Sequence, residues 1–319
     1  MDERNFKKWN LILGWSCFLI AFIVYYLTAE PTVGFWDTGE YITTSAKLQV
    51  GHPPGAPLFQ MLGAIFSIFA LTSKQIGFTL NLMSGFASAL TIAFMFWSIT
   101  MLLSKISNKI NDSKDKSIAI LGGGLTGGLA FTFTDTFWFN AVEAETYAMG
   151  TLIMAILFYL ALRWEQDMDK SRGDKWLLMI CFVIGLSFGV HFMGLLTIPA
   201  ITLIYFFKNY KIINIKNFLF ANIAGVAILM GVFKLMLPPT LKFFSFMELL
   251  FVNDIGLPFN SGTIASFLLI ASIFYFAISY TSKKNLVTGN TIVLCILFIF
   301  LGFSFGKPPS SKLYGLLII

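Results

Sequence analysis

Apolar runs of membrane-spanning length recur along the whole sequence, and they limit the possible fold more than any other feature. Hydrophobic residues make up 57% of the 319 residues and charged residues only 12%, which is about half the charged share of an ordinary soluble domain. A helix needs about 17 to 25 apolar residues to cross a bilayer, and runs this continuous fit helices better than barrel strands. The sequence therefore predicts an all-α, polytopic bundle of membrane helices.

We predict about nine transmembrane helices. One apolar block, 176–207, would be about 48 Å long as a single helix, which exceeds a hydrocarbon core of about 30 Å, so we expect it to turn near His191. The predicted spans are 11–28, 75–104, 117–134, 146–163, 176–190, 192–207, 218–237, 263–280 and 291–306.

The basic residues predict how these spans are oriented. Cytoplasmic loops carry an excess of Lys and Arg, and most of the 22 basic residues fall on one side when the N-terminus is placed in the cytoplasm. This layout predicts a protein of the cell (inner) membrane. It also puts the apolar segment 57–70 on the outer face, as a re-entrant or surface helix, because an extra span there would export the lysines between 105 and 116.

The first outer loop, residues 29–74, begins with the acidic stretch "FWDTGEY". Asp37 and Glu40 have the spacing of a helix capping box, and Gly51 lies where a C′ glycine would end that helix. With 57–70, this predicts an outer-face pair of juxtamembrane helices. The two carboxylates could simply start a helix, but carboxylates at the end of a membrane span are costly and commonly functional.

A second acidic stretch, "DTFWFNAVEAETYA", precedes the fourth span. Asn140 and Glu143 again have capping-box spacing. On a helix Glu143 and Glu145 would point about 200° apart, so we expect one to face the first outer loop and the other to face water. Structural and functional roles stay open for both.

The two histidines are weak candidates for a metal site. His52 and His191 could join Asp37 and Glu40 around a divalent cation, but the two histidines lack the i, i+4 spacing of a typical metal-binding pair. We therefore predict no metal and no cofactor, with a divalent cation as the weakly supported alternative. His191, at the expected turn, is better suited to bind backbone groups or a phosphate. The net charge of +6 is spread over short loops, so we predict no nucleic-acid partner.

Three stretches, "FWDTGEYITTSAKLQVGHPPGAPLFQMLG", "DTFWFNAVEAETYA" and "GLSFGVHFMGLLTIPA", resemble a bacterial family of multi-pass membrane proteins. That family is related to the transmembrane O-mannosyltransferase of plexin-type receptors. More distantly, the acidic motif and the HPP-G turn are similar to protein O-mannosyltransferases and aminoarabinose transferases of the GT-C glycosyltransferase superfamily. O-mannosyltransferases place their Asp and Glu side by side, whereas Thr38 and Gly39 separate them here.

The resemblance implies an inverting glycosyltransferase with a GT-C-like fold that acts on the extracytoplasmic face. The implied partners are a polyprenyl-phosphate-linked sugar and an acceptor protein or glycan at the lipid bilayer. Asp37 corresponds to the general base of the family, and Glu40 is the second predicted catalytic residue. The candidates for binding the substrate or its phosphate are His52, Glu143, Glu145, His191 and Lys47.

Two other functions remain open from the residues alone. A transporter or flippase of lipid-linked sugars would carry charges in the middle of its spans and often inverted repeats, and a non-catalytic membrane scaffold would use the carboxylates only as caps. We predict one transmembrane domain over 1–319, with the family-like module at about 11–237. The apolar ending "SSKLYGLLII" is what a C-terminally truncated chain would show.

Overall fold

In the computed structural model, all regular secondary structure is helical within the residues that it describes, which are 2–52, 55–107, 114–211 and 213–306. Short 3₁₀ turns precede α4 and α9, and π-helical turns follow α10 and α11. The helices are α1 (Glu3–Thr28), α2 (Thr38–Ala46), α3 (Pro57–Ser67), α4 (Ile76–Ile106), α5 (Lys114–Thr132), α6 (Asp135–Ala141), α7 (Thr146–Asp167), α8 (Asp174–Ser187), α9 (Ile198–Asn209), α10 (Ile215–Met230), α11 (Leu237–Leu249), α12 (Ser261–Lys283) and α13 (Val287–Gly306).

Seven helical stretches within these ranges are long and apolar enough to cross a bilayer, and an eighth results if the bent pair α5 and α6 counts as one span. This confirms a polytopic membrane bundle. The seven stretches are Glu3–Thr28, Ser73–Ile106, Thr146–Asp167, Phe192–Asn209, Ile215–Asp254, Ser261–Lys283 and Val287–Ser304.

The number of spans is lower than the predicted nine because two predicted spans have a different form. The predicted span 117–134 ends early, since α5 stops at Thr132 and α6 leaves at an angle of 69°. The predicted span 176–190 corresponds to α8, whose 14 residues reach only about 21 Å at a rise of ~1.5 Å per residue. The predicted break at His191 is confirmed, because the next helical turn begins at Phe192.

By its internal contacts the chain divides into two compact units, residues 1–162 and 163–319. In the first unit, α1 packs along α4 and α5. Its core includes Tyr25 of α1, Phe96 of α4 and Phe137 of α6, all buried. The Tyr25 hydroxyl donates to the carbonyl of Thr132 at 2.9 Å, and so satisfies one of the carbonyls that the end of α5 leaves without a helical partner.

In the second unit, α8 and α13 form the most extensive helix pair. Gly185 and Gly302 let the two backbones touch, because a Cβ atom at Gly185 would meet the carbonyl of Ile299 and one at Gly302 would meet the carbonyl of Phe182. Such small-residue contacts are typical of membrane helices, where close van der Waals packing replaces the hydrophobic effect. The prediction of one transmembrane domain stays a prediction.

The connection between α1 and α4, here termed the first loop, contains α2 and α3 packed against each other. The predicted juxtamembrane helix pair is therefore present. The predicted end of α2 at Gly51 is wrong: the left-handed residue is Leu48, with φ of 48°. The amides of Leu48 and Gln49 donate to the carbonyls of Ser45 and Thr44, the pattern of a Schellman motif.

Asn81, near the start of α4, ties the first loop to the connection between α5 and α7, here termed the second loop. Its side chain is fully buried. The amide nitrogen donates to the carbonyls of Glu30 at 2.7 Å and Thr32 at 3.0 Å, and the amide oxygen accepts the N–H of Ala144 at 2.8 Å. One side chain therefore holds both loops against α4.

We predict that Asn81→Ala destabilises the first unit, because it leaves the buried N–H of Ala144 and the partly buried carbonyls of Glu30 and Thr32 without this partner. Each such group costs about 1–3 kcal/mol, so the melting temperature in detergent should fall by several degrees. Asn222→Ala is the matched control, since the amide of Asn222 donates to Phe218 within its own helix. Equal melting temperatures for the Asn81 and Asn222 variants would show that the loops do not depend on Asn81.

Candidate functional site

Asp37 occupies the N-cap position of α2, but its carboxylate makes no capping hydrogen bond. The side chain is 57% exposed. The prediction that Asp37 caps its own helix is therefore wrong, although the helix does begin at the next residue. The carboxylate is left free to contact other molecules.

Glu40, one turn further along α2, is paired with His52. One oxygen accepts the backbone N–H of His52 at 2.5 Å, and the other lies 3.1 Å from the ring nitrogen Nδ1. Gly51 allows this close approach, because a Cβ atom there would lie 3.0 Å from a Glu40 oxygen. The predicted capping-box role of Glu40 is wrong as well, since its carboxylate binds His52 instead of the start of its own helix.

The Glu40–His52 pair shifts the titration of both groups. The backbone hydrogen bond from His52, followed by the ring hydrogen bond, lowers the pKa of Glu40. The hydrogen bond to Glu40 raises the pKa of His52, and the negative charges of Glu40, Asp37 and Glu145 add to this effect. The second ring nitrogen of His52, Nε2, lies 3.9 Å from an Asp37 oxygen. The pair therefore favours a protonated imidazole beside the free carboxylate.

Glu143 and Glu145 of the second loop are both buried, with 4% and 5% exposure. Glu143 accepts a hydrogen bond from the backbone N–H of Phe35. Glu145 accepts one from the backbone N–H of Asp37, and the Thr38 hydroxyl lies 3.5 Å from one of its oxygens. Both carboxylates therefore face the first loop.

The expectation that one of these two glutamates faces water is wrong, because α7 begins at Thr146 and both residues precede it. In an extended turn the helical angle between positions 143 and 145 does not apply. The predicted capping box of Asn140 is also wrong: Asn140 lies in α6, and its amide donates to the carbonyl of Thr136 at 2.8 Å.

Burial controls the titration of the two glutamates. It raises the pKa of Glu145 to about 7, and the negative charges of Asp37 and Glu143 add to this effect. Burial also raises the pKa of Glu143, to which the charge of Glu30 contributes. The site thus holds an exposed carboxylate at Asp37 above a carboxyl group at Glu145 that is half-protonated near neutral pH.

Three residues that the sequence analysis missed complete the site. Tyr41 packs edge-on against Phe59, with ring centroids 5.2 Å apart, and hydrogen-bonds to Thr146. Thr38 and Asn81 complete the contacts to the second loop. Asn81 carried a usable signal, because an Asn inside a long apolar run is expensive unless it is hydrogen-bonded. Thr38 and Tyr41 carried none.

Asp37, Glu40 and His52 could ligate a metal ion. One ligand atom from each lies within 4.8 Å of the other two, and two carboxylates with an imidazole suit several divalent cations. A cation there would compete with the proton that Glu40 stabilises on His52. The absence of a resident metal stays a prediction.

The structure does not bring Lys47 to this cluster. Lys47 is the exposed C-cap residue of α2, about 15 Å from Asp37 along the helix at ~1.5 Å per residue. His191 belongs to the second unit, where its Nδ1 accepts the N–H of Met193 at 3.2 Å. Its expected bond to a backbone group is confirmed. Phosphate binding by either residue stays a prediction.

Comparison with known proteins agrees with the resemblance seen in the sequence. A family model described as the protein O-mannosyl-transferase TMEM260 N-terminal domain matches residues 37–214. The chain is 25% identical to the protein O-mannosyl-transferase tmem260 of Dictyostelium discoideum over 232 residues, 66% of this chain and 26% of that protein. It is 28% identical to the mouse protein O-mannosyl-transferase TMEM260 over 164 residues, 51% of this chain and 21% of that protein.

The match thus spans about a quarter or less of each curated relative. No solved structure matches the chain. The family match begins at Asp37 and includes the rest of the first loop and the whole second loop, so the resemblance predicted from these motifs is confirmed.

We predict that folding stability falls between about pH 4.5 and pH 7 through Glu145. Its pKa rises from 4.5 to about 7 on folding, so the folded state binds more protons in this window and loses up to about 3 kcal/mol as the pH rises. Glu145→Gln should remove this part of the slope in melting experiments from pH 4.5 to 7.

The control for this prediction is Asp135→Asn, because Asp135 is an exposed acidic residue of the same loop. It should keep the wild-type slope. If Glu145→Gln also keeps that slope, the carboxyl group of Glu145 does not titrate near neutral pH.

Proposed function

Because the chain belongs to the protein O-mannosyl-transferase TMEM260 N-terminal domain family, we propose that it is a GT-C-type inverting glycosyltransferase. It transfers a mannose-like sugar from a polyprenyl-phosphate donor to a Ser or Thr hydroxyl of an acceptor protein. The names of the two relatives, both protein O-mannosyl-transferases, support the reaction class. A lipid-linked donor suits a chain made largely of membrane helices.

The observation that carries this proposal is the state of Asp37. A carboxylate at a helix N-cap normally accepts an amide of its own helix, and this one does not. It is exposed and lies beside an imidazole whose protonation Glu40 favours. An inverting transfer needs one base at the acceptor hydroxyl and one donor at the leaving group, on opposite faces of the sugar. We assign these roles to Asp37 and His52, whose separation of 3.9 Å must widen to admit the sugar.

In the reaction, the carboxylate of Asp37 takes the proton of the acceptor hydroxyl as the hydroxyl oxygen attacks the anomeric carbon. The bond between that carbon and the phosphate oxygen breaks, and the polyprenyl phosphate leaves with the bonding electrons. Attack from the face opposite the leaving group inverts the anomeric centre. The proton ends on Asp37 and is released to water with the product.

His52 supports the departure of the phosphate. Its Nδ1 is engaged by Glu40, so Nε2, which faces an Asp37 oxygen at 3.9 Å, is the nitrogen that donates to a phosphate oxygen once the substrate separates the two side chains. Glu40 therefore acts through His52 by keeping the imidazole charged. Because Glu40 acts through His52, it does not have to be adjacent to Asp37 in the sequence.

We place the active site on the extracytoplasmic face of the cell (inner) membrane, with the N-terminus in the cytoplasm. The distribution of Lys and Arg supports this orientation. Both acidic loops lie at one end of the α1–α4–α5 bundle, because Asn81 contacts both of them. A donor in the membrane and an acceptor in the adjoining water layer would meet at this end.

The first functional prediction is that Asp37→Asn abolishes transfer of radiolabelled sugar from polyprenyl-phosphate donors to Ser- and Thr-containing peptides. Loss of a general base lowers the rate by about 10²–10⁴-fold. Asp135→Asn should retain the wild-type rate, since Asp135 is exposed and lies in the other loop. Wild-type transfer by the Asp37 variant would rule out Asp37 as the base.

The second prediction concerns the pH dependence of transfer. Because the pKa of His52 is raised, its ring stays protonated further up the pH scale, and the wild-type kcat should fall only as the pH passes that raised pKa. His52→Gln should lower kcat on the order of 10²-fold and lose this alkaline fall. An unchanged pH profile in the Gln variant would assign the phosphate donor to another group.

A further inference from the structure

We propose that Glu143 and Glu145 are positioning residues, which hold the segment 35–37 by its backbone amides and so keep the Asp37 carboxylate free for catalysis. This inference rests on the proposed function, because it assigns a role to the surroundings of the proposed base. It differs from the substrate-binding role predicted from the sequence. At 4% and 5% exposure, neither carboxylate is open to a substrate.

Glu145 takes the part that Glu40 would play in a capping box of α2. The N-cap amide of a helix lacks a helical partner, and a capping-box glutamate normally accepts it. Here the carboxylate of Glu145 accepts the N–H of Asp37 and lies next to the hydroxyl of Thr38, at the helix end where negative charge is favoured. The backbone of Asp37, with φ of −85° and ψ of 1°, is not in the extended conformation from which an N-cap side chain usually reaches its own helix, so the carboxylate of Asp37 is not drawn back onto α2.

Glu143 makes the equivalent contact two residues earlier, by accepting the N–H of Phe35. Its carboxylate lies directly over Gly34, where a Cβ atom would collide with Oε2 of Glu143. The alternate residues Glu143 and Glu145 thus bind the amides of the alternate residues Phe35 and Asp37. The glycine is needed for this approach.

The residue between the two fixed amides, Trp36, shows that the segment is held under constraint. It has a φ of 57°, a left-handed conformation that is strained for a bulky residue and persists only where its surroundings impose it. Its side chain is 84% exposed, so packing of the indole does not impose the conformation. We infer that the contacts of the flanking amides, at Phe35 and Asp37, impose it.

The contact of Glu143 and Glu145 with the segment 35–37 is itself anchored to a transmembrane helix. Ala144, between the two glutamates, donates its N–H to Asn81 of α4, and the N–H of Glu30 donates to the carbonyl of Val142 at 2.9 Å. The position of Asp37 is therefore set through Glu145 and Asn81 by the membrane bundle. Burying two carboxylates is costly. The buried pair fixes the position of the proposed base.

The test compares four full-length variants for hydrogen exchange of residues 33–41 and for transfer kinetics. Glu145→Ala should speed exchange at Asp37 about tenfold or more and lower kcat about 10–100-fold, with the donor KM within about threefold because the substrate contacts remain. Glu145→Gln retains an acceptor oxygen, so it should restore slow exchange and most of kcat. Gly34→Ala should displace Glu143 and speed exchange at Phe35 without changing any acidic residue.

Gly39→Ala is the matched control for Gly34→Ala, because a Cβ atom at Gly39 would meet only the tip of Val33 at 3.2 Å. It should exchange and react like the wild type. Wild-type exchange at Asp37 in Glu145→Ala would overturn the proposal. So would a raised donor KM with unchanged kcat, since that result would assign Glu145 to substrate binding.

A failure of the proposed function gives a different pattern. In that case Asp37→Asn transfers sugar normally, or the wild type transfers none, while hydrogen exchange still reports whether the two glutamates hold the segment. If Asp37→Asn is inactive and Glu145→Ala has wild-type exchange and kcat, the base assignment survives and the positioning role does not.

Discussion

The site depends on one buried amide, the side chain of Asn81, which is hydrogen-bonded to both acidic loops. The loops come from distant parts of the chain. An apolar residue at this position of α4 would leave one buried N–H and two partly buried carbonyls without their partner. The polar residue in an otherwise apolar helix therefore determines where the carboxylates of both loops meet.

Four carboxylates in a small region have different roles because their surroundings differ. Glu145 and Glu143 are buried and bound to backbone amides, and Glu40 is hydrogen-bonded to His52. Asp37 is exposed, makes no capping hydrogen bond and lies 3.9 Å from His52. Burial raises the pKa of Glu145 to about 7, and the charges of Asp37 and Glu143 add to this effect. The hydrogen bond to Glu40 raises the pKa of His52, and the nearby negative charges add to it. In the proposed reaction, Asp37 is the base at the acceptor hydroxyl and His52 is the donor to the leaving phosphate on the opposite face of the sugar.

Most of the fold could be predicted from local patterns, and most of the site geometry could not. Apolar runs identified the long spans, and the Asp37–Glu40 spacing located the start of α2 within one residue. The same spacing predicted the wrong bonds, because Glu145, 107 residues along the chain from Thr38, takes the amide of Asp37. The helical angle predicted between Glu143 and Glu145 was wrong because both residues lie in the turn before α7. No local signal shows that α6 ends at Ala141.

The central claim is that the exposed carboxylate of Asp37 acts as the general base. The most direct measurement is sugar transfer by Asp37→Ala with and without added formate, a small carboxylate that can occupy the vacated space. The account predicts that the variant loses at least about 10²-fold in rate and recovers part of it as the formate concentration rises. Wild-type transfer by Asp37→Ala without formate would contradict the account.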